Sequence, residues 1–355
     1  MQAFLKNVKS SEKITSTDGE GSINNTKRRT PWVEKYRPKK VEDVVEQAEI
    51  VAVLKQCLDG GDLPNMLLYG PPGTGKTSTI LAAAHQLFGE IYKDRILELN
   101  ASDERGINVV RTKIKNFAQL TASNVKPDGK PCPPFKIIIL DEADSMTHAA
   151  QAALRRTMEK ESRSTRFCLI CNYVTRIIDP ITSRCTKFRF KSLGEEKVIE
   201  RLKFICKEEN VNIDENAYQI ILKISEGDMR RAITLLQSCF RLKGTTSTIT
   251  EQDLFEISGL VPENYMHDFF NVCKSGNYIK LEEFVNNIIF EAYSIGQMID
   301  QFNEFVIRHK DLNNEEKCRI CEKLGECAFR LSQGGSEYLQ IMDLGCTVIL
   351  ALQKN

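Results

Sequence analysis

Residues 70–77 read Gly70-Pro71-Pro72-Gly73-Thr74-Gly75-Lys76-Thr77, and no other stretch constrains the fold as tightly. The apolar run before it, Met66-Leu67-Leu68-Tyr69, reads as a buried strand, and Ser78-Thr79-Ile80-Leu81-Ala82-Ala83-Ala84 after it reads as a helix. A glycine-rich loop between a strand and a helix is a phosphate cradle. Its glycines let the backbone wrap until N–H groups face phosphate oxygens. The helix N-terminus adds partial positive charge at the same spot. Lys76 is set to reach the β- and γ-phosphates, and Thr77 to offer its hydroxyl to Mg2+. The stretch predicts binding of a nucleoside triphosphate.

A chain of 355 residues exceeds one compact core and is expected to divide into two or three domains. The formal net charge of +1 leaves no global basic excess, so any nucleic acid must be met by a local patch. The 12 cysteines include two close pairs, Cys168/Cys171 and Cys318/Cys321, neither matched by a second pair at zinc spacing. Apolar surroundings favour reduced, structural thiols and a cytosolic or nuclear chain. No apolar run is long enough to suggest a signal peptide or a membrane span.

Residues 1–30 are polar and read as a flexible tail; Lys27-Arg28-Arg29 within it fits a nuclear-import signal or a solvated arm. Order begins at Pro31-Trp32-Val33-Glu34-Lys35-Tyr36-Arg37-Pro38, whose prolines force extended backbone before them. This aromatic strap either covers a nucleotide base or seals a core edge. An amphipathic run, Ala48–Leu58, follows.

Arg95–Asn100 reads as a second strand, and Ile107–Leu120 as a helix carrying Arg111, Lys113 and Lys115 away from its apolar face. Four prolines and a glycine in residues 124–134 mark an exposed loop. Lys136-Ile137-Ile138-Ile139-Leu140-Asp141-Glu142 is a strand apolar on both faces that ends in acid, as in a buried parallel sheet. At a strand's carboxyl end Asp141 is placed for Mg2+, and Glu142 to orient or deprotonate water. A helix over Ala149–Glu159 carries Arg155-Arg156, a pair expected to face a neighbour or the Glu142 region. Arg166–Asn172 is a further buried strand; Asn172 at its end reports a γ-phosphate, positions water, or simply turns the chain. Ser183-Arg184-Cys185 precedes a last strand, Lys187–Phe190. Strands alternating with helices over 66–190 predict a three-layer α/β domain with a mostly parallel sheet.

Strand signals then stop. Residues 195–258 read as three or four short helices, with Glu226-Gly227-Asp228 a turn and helix start before Arg230. After a break at 258–262, amphipathic helices such as Ile279–Ala292 and Ile295–Arg308 carry no catalytic pattern, which suits an intramolecular core or a subunit interface. The division is a polar tail (1–30), an ATPase core (31–190) and two helical extensions (191–258 and 259–355).

Phosphate loop, Asp-Glu strand end, polar strand-end Asn, an arginine before the last strand and a lid arginine occur here in the order found in AAA+ ATPases, which the chain resembles. More narrowly, Trp32–Pro38, Asn100–Gly106 and Ser183-Arg184-Cys185 are similar to the signature boxes of the small subunits of eukaryotic clamp loaders, the replication factor C family. The match runs from about residue 31 to the C-terminus. The resemblance implies an Mg2+-dependent ATPase with an α/β core (31–190), a helical lid (191–258) and a helical C-terminal collar (259–355). In it Gly70–Ser78 (the loop residues above and Ser78) cradle ATP, and Val33, Tyr36, Arg37 and Pro38 line the adenine pocket. Thr77 and Asp141 hold the metal, Glu142 is the base, and Asn172 and Arg230 are the two sensors. Arg184 acts in trans on a neighbour's ATP. The resemblance also implies a heteropentamer with other replication factor C subunits that opens the sliding clamp PCNA on primer–template DNA in the nucleus, with no membrane partner. DNA would then be held through its backbone, with Arg111, Lys113 and Lys115 as candidates. Alternatives are another AAA+ DNA-remodelling ATPase, which would need its own DNA-binding appendage, an ATP-binding scaffold, and a small-molecule kinase, which would need no collar.

Overall fold

The structure, a computed structural model, describes residues 30–353 apart from 45, 104–107, 109, 120–131, 245 and 246. Residues 1–29 of the polar tail, most of the 124–134 loop and part of the Asn100–Gly106 box therefore lie outside the described residues.

Five strands, β1 (Met66–Tyr69), β2 (Ile96–Asn100), β3 (Lys136–Asp141), β4 (Thr165–Cys171) and β5 (Thr186–Arg189), pair in parallel in the order β2-β3-β4-β1-β5. Successive side chains of a strand point to opposite faces, so the isoleucines of β3 feed two cores. Ile137 and Ile139 pack with α1 (Ala48–Leu58) and α2 (Lys76–Phe88), while Ile138 and Leu140 pack with α3 (His148–Lys160) on the other face. Parallel pairing also brings the carboxyl ends together: Tyr69 lies opposite Cys171, and Asn100 opposite Asp141. The phosphate loop after β1, the acid ending β3 and the amide after β4 therefore share one sheet edge, where α/β folds bind ligands.

Two sequence expectations shift. Arg95 closes a short helical turn, Tyr92–Arg95, rather than opening β2, and its side chain is buried. The helix expected over Ile107–Leu120 is described from Val110 to Gln119 and opens with π-type turns before Lys115.

Helices take over after β5. α4 (Glu195–Glu209), α5 (Glu215–Ser225), α6 (Met229–Lys243) and α7 (Glu251–Ser258) enclose a core of Val198, Leu202, Ile221, Leu236 and Leu254. α8 (Glu263–Lys274), α9 (Tyr278–Phe290), α10 (Ile295–Arg308), α11 (Asn314–Ser332) and α12 (Glu337–Leu352) enclose a second, built on Phe269, Phe302, Ile320 and Val348. In α10 the buried residues Ile295, Met298, Ile299, Phe302 and Val306 follow helical spacing, and the Ser294 hydroxyl accepts the Gln297 N–H as a cap. α9 stops at Phe290, because Ala292 takes a left-handed φ of 59°.

Trp32 belongs to the first helical core although it precedes the sheet by sequence. It is 6% exposed, and its ring centroid lies 5.2 Å from that of Phe240. Trp32→Ala is expected to destabilise the chain by about 3–5 kcal/mol, the usual cost of truncating a buried large aromatic. A lowered urea midpoint at unchanged slope is the measurement; an unchanged midpoint would show the ring contributes nothing.

Candidate active site

The loop between β1 and α2 is shaped by two close approaches. Gly70 has φ 146°, and a Cβ there would lie 2.2 Å from the carbonyl oxygen of Phe190, the residue just past β5. Gly73 has φ 69°, and a Cβ there would lie 1.7 Å from Asp228 Oδ1. The loop thus needs glycine both to turn and to let the helices after β5 come near.

Lys76, the first residue of α2, is 7% exposed. Its ammonium donates to the carbonyls of Gly70 (2.9 Å) and Pro71 (2.8 Å) and to Asn172 Oδ1 (3.1 Å). Burial holds it below the ordinary lysine pKa, and the charge of Asp141 pulls the other way. Those acceptors are neutral, so an incoming phosphate oxygen competes for the same donors with a full charge. The Thr77 hydroxyl donates to Asp141 Oδ2 at 2.7 Å, while Asp141 Oδ1 accepts the Glu142 N–H at 2.9 Å. A hydroxyl and a carboxylate side by side at the phosphate end of the loop are hard oxygen donors, the kind of set that holds Mg2+ beside substrate phosphates. Glu142 has φ 51° and caps the turn Ala143–Ser145. This left-handed backbone in a non-glycine residue is the kind of strain that gathers at functional sites.

Asp144, to which sequence reasoning gave no role, organises the end of β4. Its Oδ2 accepts the N–H groups of Asn172 (3.3 Å) and Tyr173 (3.2 Å), fixing the turn that carries the Asn172 amide. Beside it, burial pushes the Cys171 thiol up to about 12, so this cysteine stays a neutral, packed wall residue.

A cleft of about 200 Å³ opens over the loop. Residues 72–78, Asp141, Glu142 and Asn172 form one side; Val33, Tyr36, Arg37 and Pro38 of the strap, with Arg230, form much of the other. Gly70 and Pro71 stand outside it and act through the carbonyls that hold Lys76. Arg230 enters from the first turn of α6, whose cap is Asp228: its Oδ1 accepts the N–H of Arg230 (2.8 Å) and of Arg231 (3.2 Å). The cleft also takes Leu193, Arg201, Met229 and Ile233, which sequence reasoning missed. Their apolar and charged types on amphipathic helices give no local signal; only the folded arrangement brings them to the loop.

Arg184 does not line the cleft. Its guanidinium bonds the Pro180 carbonyl (2.6 Å) and Glu159 Oε1 (2.6 Å), and its side chain is 37% exposed. Arg155 Nε reaches the same Glu159 oxygen at 3.0 Å. The Arg155 hydrogen bond, followed by the charges of Arg155 and Arg184, holds the Glu159 carboxyl below the usual glutamate value. Lys113 and Lys115 are exposed on their helical segment, and the Arg111 side chain lies outside the described residues.

Three family descriptions match along the chain. Residues 66–193 match the ATPase family associated with various cellular activities (AAA), residues 200–241 the RCF1/5-like AAA+ ATPase lid domain, and residues 261–347 the replication factor C C-terminal domain. The chain is 54% identical over 364 aligned residues to human replication factor C subunit 4, with 100% of both covered. It is 50% identical over 321 residues to replication factor C subunit 2 of Saccharomyces cerevisiae, covering 88% of this chain and 91% of that one. Among solved structures, the Thermotoga maritima RuvB Holliday junction branch migration motor aligns with TM-score 0.50 and 18% identity, over 66% of this chain and 78% of its own. That last likeness is one of fold alone.

Proposed function

The chain belongs to the replication factor C family of AAA+ ATPases, and from that premise we propose that it works as one subunit of a nuclear clamp loader. The complex uses ATP to open the ring-shaped sliding clamp PCNA and set it on primer–template DNA. One observation carries the shared-site part of this reading: Lys76, Thr77, Asp141, Glu142, Asn172 and Arg230 line one cleft, while Arg184 lies outside it, partly exposed and tethered to Glu159. A site complete but for one cation, with a spare arginine elsewhere on the surface, suits subunits that finish each other's sites.

The chain's own residues divide the work. The loop N–H groups and Lys76 bind the phosphates and neutralise charge that grows in the transition state. Thr77 and Asp141 would hold Mg2+, which when bound would supply further charge neutralisation at the phosphates. Glu142 orients the attacking water and takes its proton. Asn172 and Arg230 read the terminal phosphate from opposite sides, the first on the sheet and the second on the helices. Arg184 serves the neighbouring subunit's ATP. Lys113, Lys115 and Arg111 contact the DNA backbone. Among the described residues no helix is long and apolar enough to cross a membrane.

The test is ATP turnover by the purified complex with and without PCNA and primed DNA. Strong stimulation by the two together is the expected result. Stimulation by DNA alone, indifferent to PCNA, would point to a different DNA-stimulated AAA+ machine.

A further inference from the structure

We propose that the strap Trp32–Arg37 is a working part of the lid helices, and that Glu209 is a positioning residue that sets nucleotide affinity by holding the strap wall of the cleft. The inference rests on the nucleotide reading of the cleft given above.

By sequence the strap leads into the sheet domain, but its attachments run the other way. The Trp32 N–H donates to Gln237 Oε1 of α6 at 3.2 Å, and its ring is buried beside Phe240. Glu209, the last residue of α4, receives two strap donors on one oxygen: the Tyr36 hydroxyl at 2.8 Å and the Lys35 ammonium at 2.6 Å. Arg201, two turns earlier on α4, donates to the Tyr36 carbonyl at 2.8 Å, and its guanidinium stands 5.1 Å from the Phe204 ring centre. Phe204 in turn meets the Tyr36 ring edge-on at 6.2 Å. Apart from the Glu34 and Lys35 N–H groups, which donate to the adjacent Pro31 carbonyl, the hydrogen bonds described as leaving Trp32–Arg37 end on α4 or α6; Arg37 turns back to Glu34 at 2.8 Å. At Val41 the chain is anchored in the sheet domain. There the side chain is fully buried in the sheet's core, and the N–H donates to Gln86 Oε1 of α2 at 2.8 Å.

The chain therefore crosses from one body to the other at residues 38–40, and it crosses back at 191–194. The Gln47 amide donates to the Lys191 carbonyl at 3.2 Å, and Glu46 Oε2 accepts the Gly194 N–H at 2.7 Å. The cleft then has two walls of different allegiance. The phosphate loop, Asp141, Glu142 and Asn172 belong to the sheet; Val33, Tyr36, Leu193, Met229 and Arg230 belong to the lid. A base lying against the strap and a phosphate read by Arg230 thus report to the same packed set of helices. Glu209 lies outside the cleft, and its side chain is 18% exposed. It can influence the nucleotide only by deciding where the strap rests.

The experiment uses the full complex with the phosphate-loop lysines of the other subunits replaced, so that this chain's site reports alone. Three preparations are compared: unaltered, Glu209→Ala, and the isosteric Glu209→Gln, which keeps an acceptor for Tyr36 but not the charge for Lys35. Loss of both bonds is expected to raise the ATP KM about five- to tenfold, the equivalent of one to two ordinary hydrogen bonds, with kcat at saturating ATP unchanged. Glu209→Gln should recover part of the loss. Inorganic tripolyphosphate, which occupies the loop without touching the strap, should inhibit all three equally. An unchanged KM in Glu209→Ala would overturn the proposal. So would a tripolyphosphate inhibition constant that rises in step with KM, because the damage would then lie in the loop. Failure of the unaltered complex to bind ATP at this site would remove the nucleotide reading itself, a result distinct from either.

Discussion

Glu142→Gln is expected to lower hydrolysis at this subunit's own site by about 10²–10⁴-fold, the usual worth of a positioned general base, while ATP binding persists. The residue sits at the carboxyl end of β3, one position past Asp141, with its N–H on the Asp141 carboxylate. Its backbone is left-handed, with φ 51°, and the Ser145 hydroxyl donates to its carbonyl at 2.8 Å. Glutamine fits the same backbone and volume, so the fold and the Asp141 contact are retained and only the basic oxygen is lost. The measurement is single-turnover hydrolysis in a complex whose other sites are disabled, paired with equilibrium binding of ATP. Slow turnover with intact binding supports the assignment. If turnover stayed within a few fold of the unaltered complex, Glu142 would not be the base and the water would have to be activated elsewhere.

Arg184→Ala should produce a loss of about 10³–10⁵-fold, the range for a transition-state arginine supplied in trans, but in the neighbouring subunit's turnover rather than in this one's. The arginine is held on the surface by Glu159 and by the Pro180 carbonyl, away from the cleft of its own chain. Exposed ion pairs of this kind are weak, so Glu159 can park the side chain without keeping it from a triphosphate that approaches from outside. Two complexes separate the possibilities, one with only this chain's site competent and one with only the neighbour's. The loss must appear in the second. If it appeared in the first, Arg184 would be acting within its own chain and the shared site would be wrong.

The parts of the site that were legible in the sequence are those that one local stretch completes. Gly70–Thr77 carries its strand, turn and helix with it, and the β3 isoleucines followed by Asp141-Glu142 announce both burial and the acid at the sheet edge. Asn172 was readable as a polar stop on an apolar strand, although the carboxylate that fixes its turn, Asp144, was not. What stayed hidden depends on long-range meetings. Residue types alone left the strap divided between covering a base and sealing a core. In the fold Trp32 joins a helical core while Val33 and Tyr36 face the cleft, so the two readings fall on different residues of one strap. Glu209 and Arg201 look like any solvated charges on an amphipathic helix until Tyr36 is brought against them. Glu159 likewise reads as a surface acid until Arg155 and Arg184 converge on it.

Gly73 and Asp228 press against each other so closely that a single added methyl would overlap the carboxylate. Asp228 is at the same time the cap of α6. Neither position is therefore free to drift alone. Replacing Gly73 would push away the helix that presents Arg230, and lengthening Asp228 would crowd the loop that receives the phosphates. The spacing between the phosphate loop and the helices after β5 is thus set by a pair of residues rather than by either body separately.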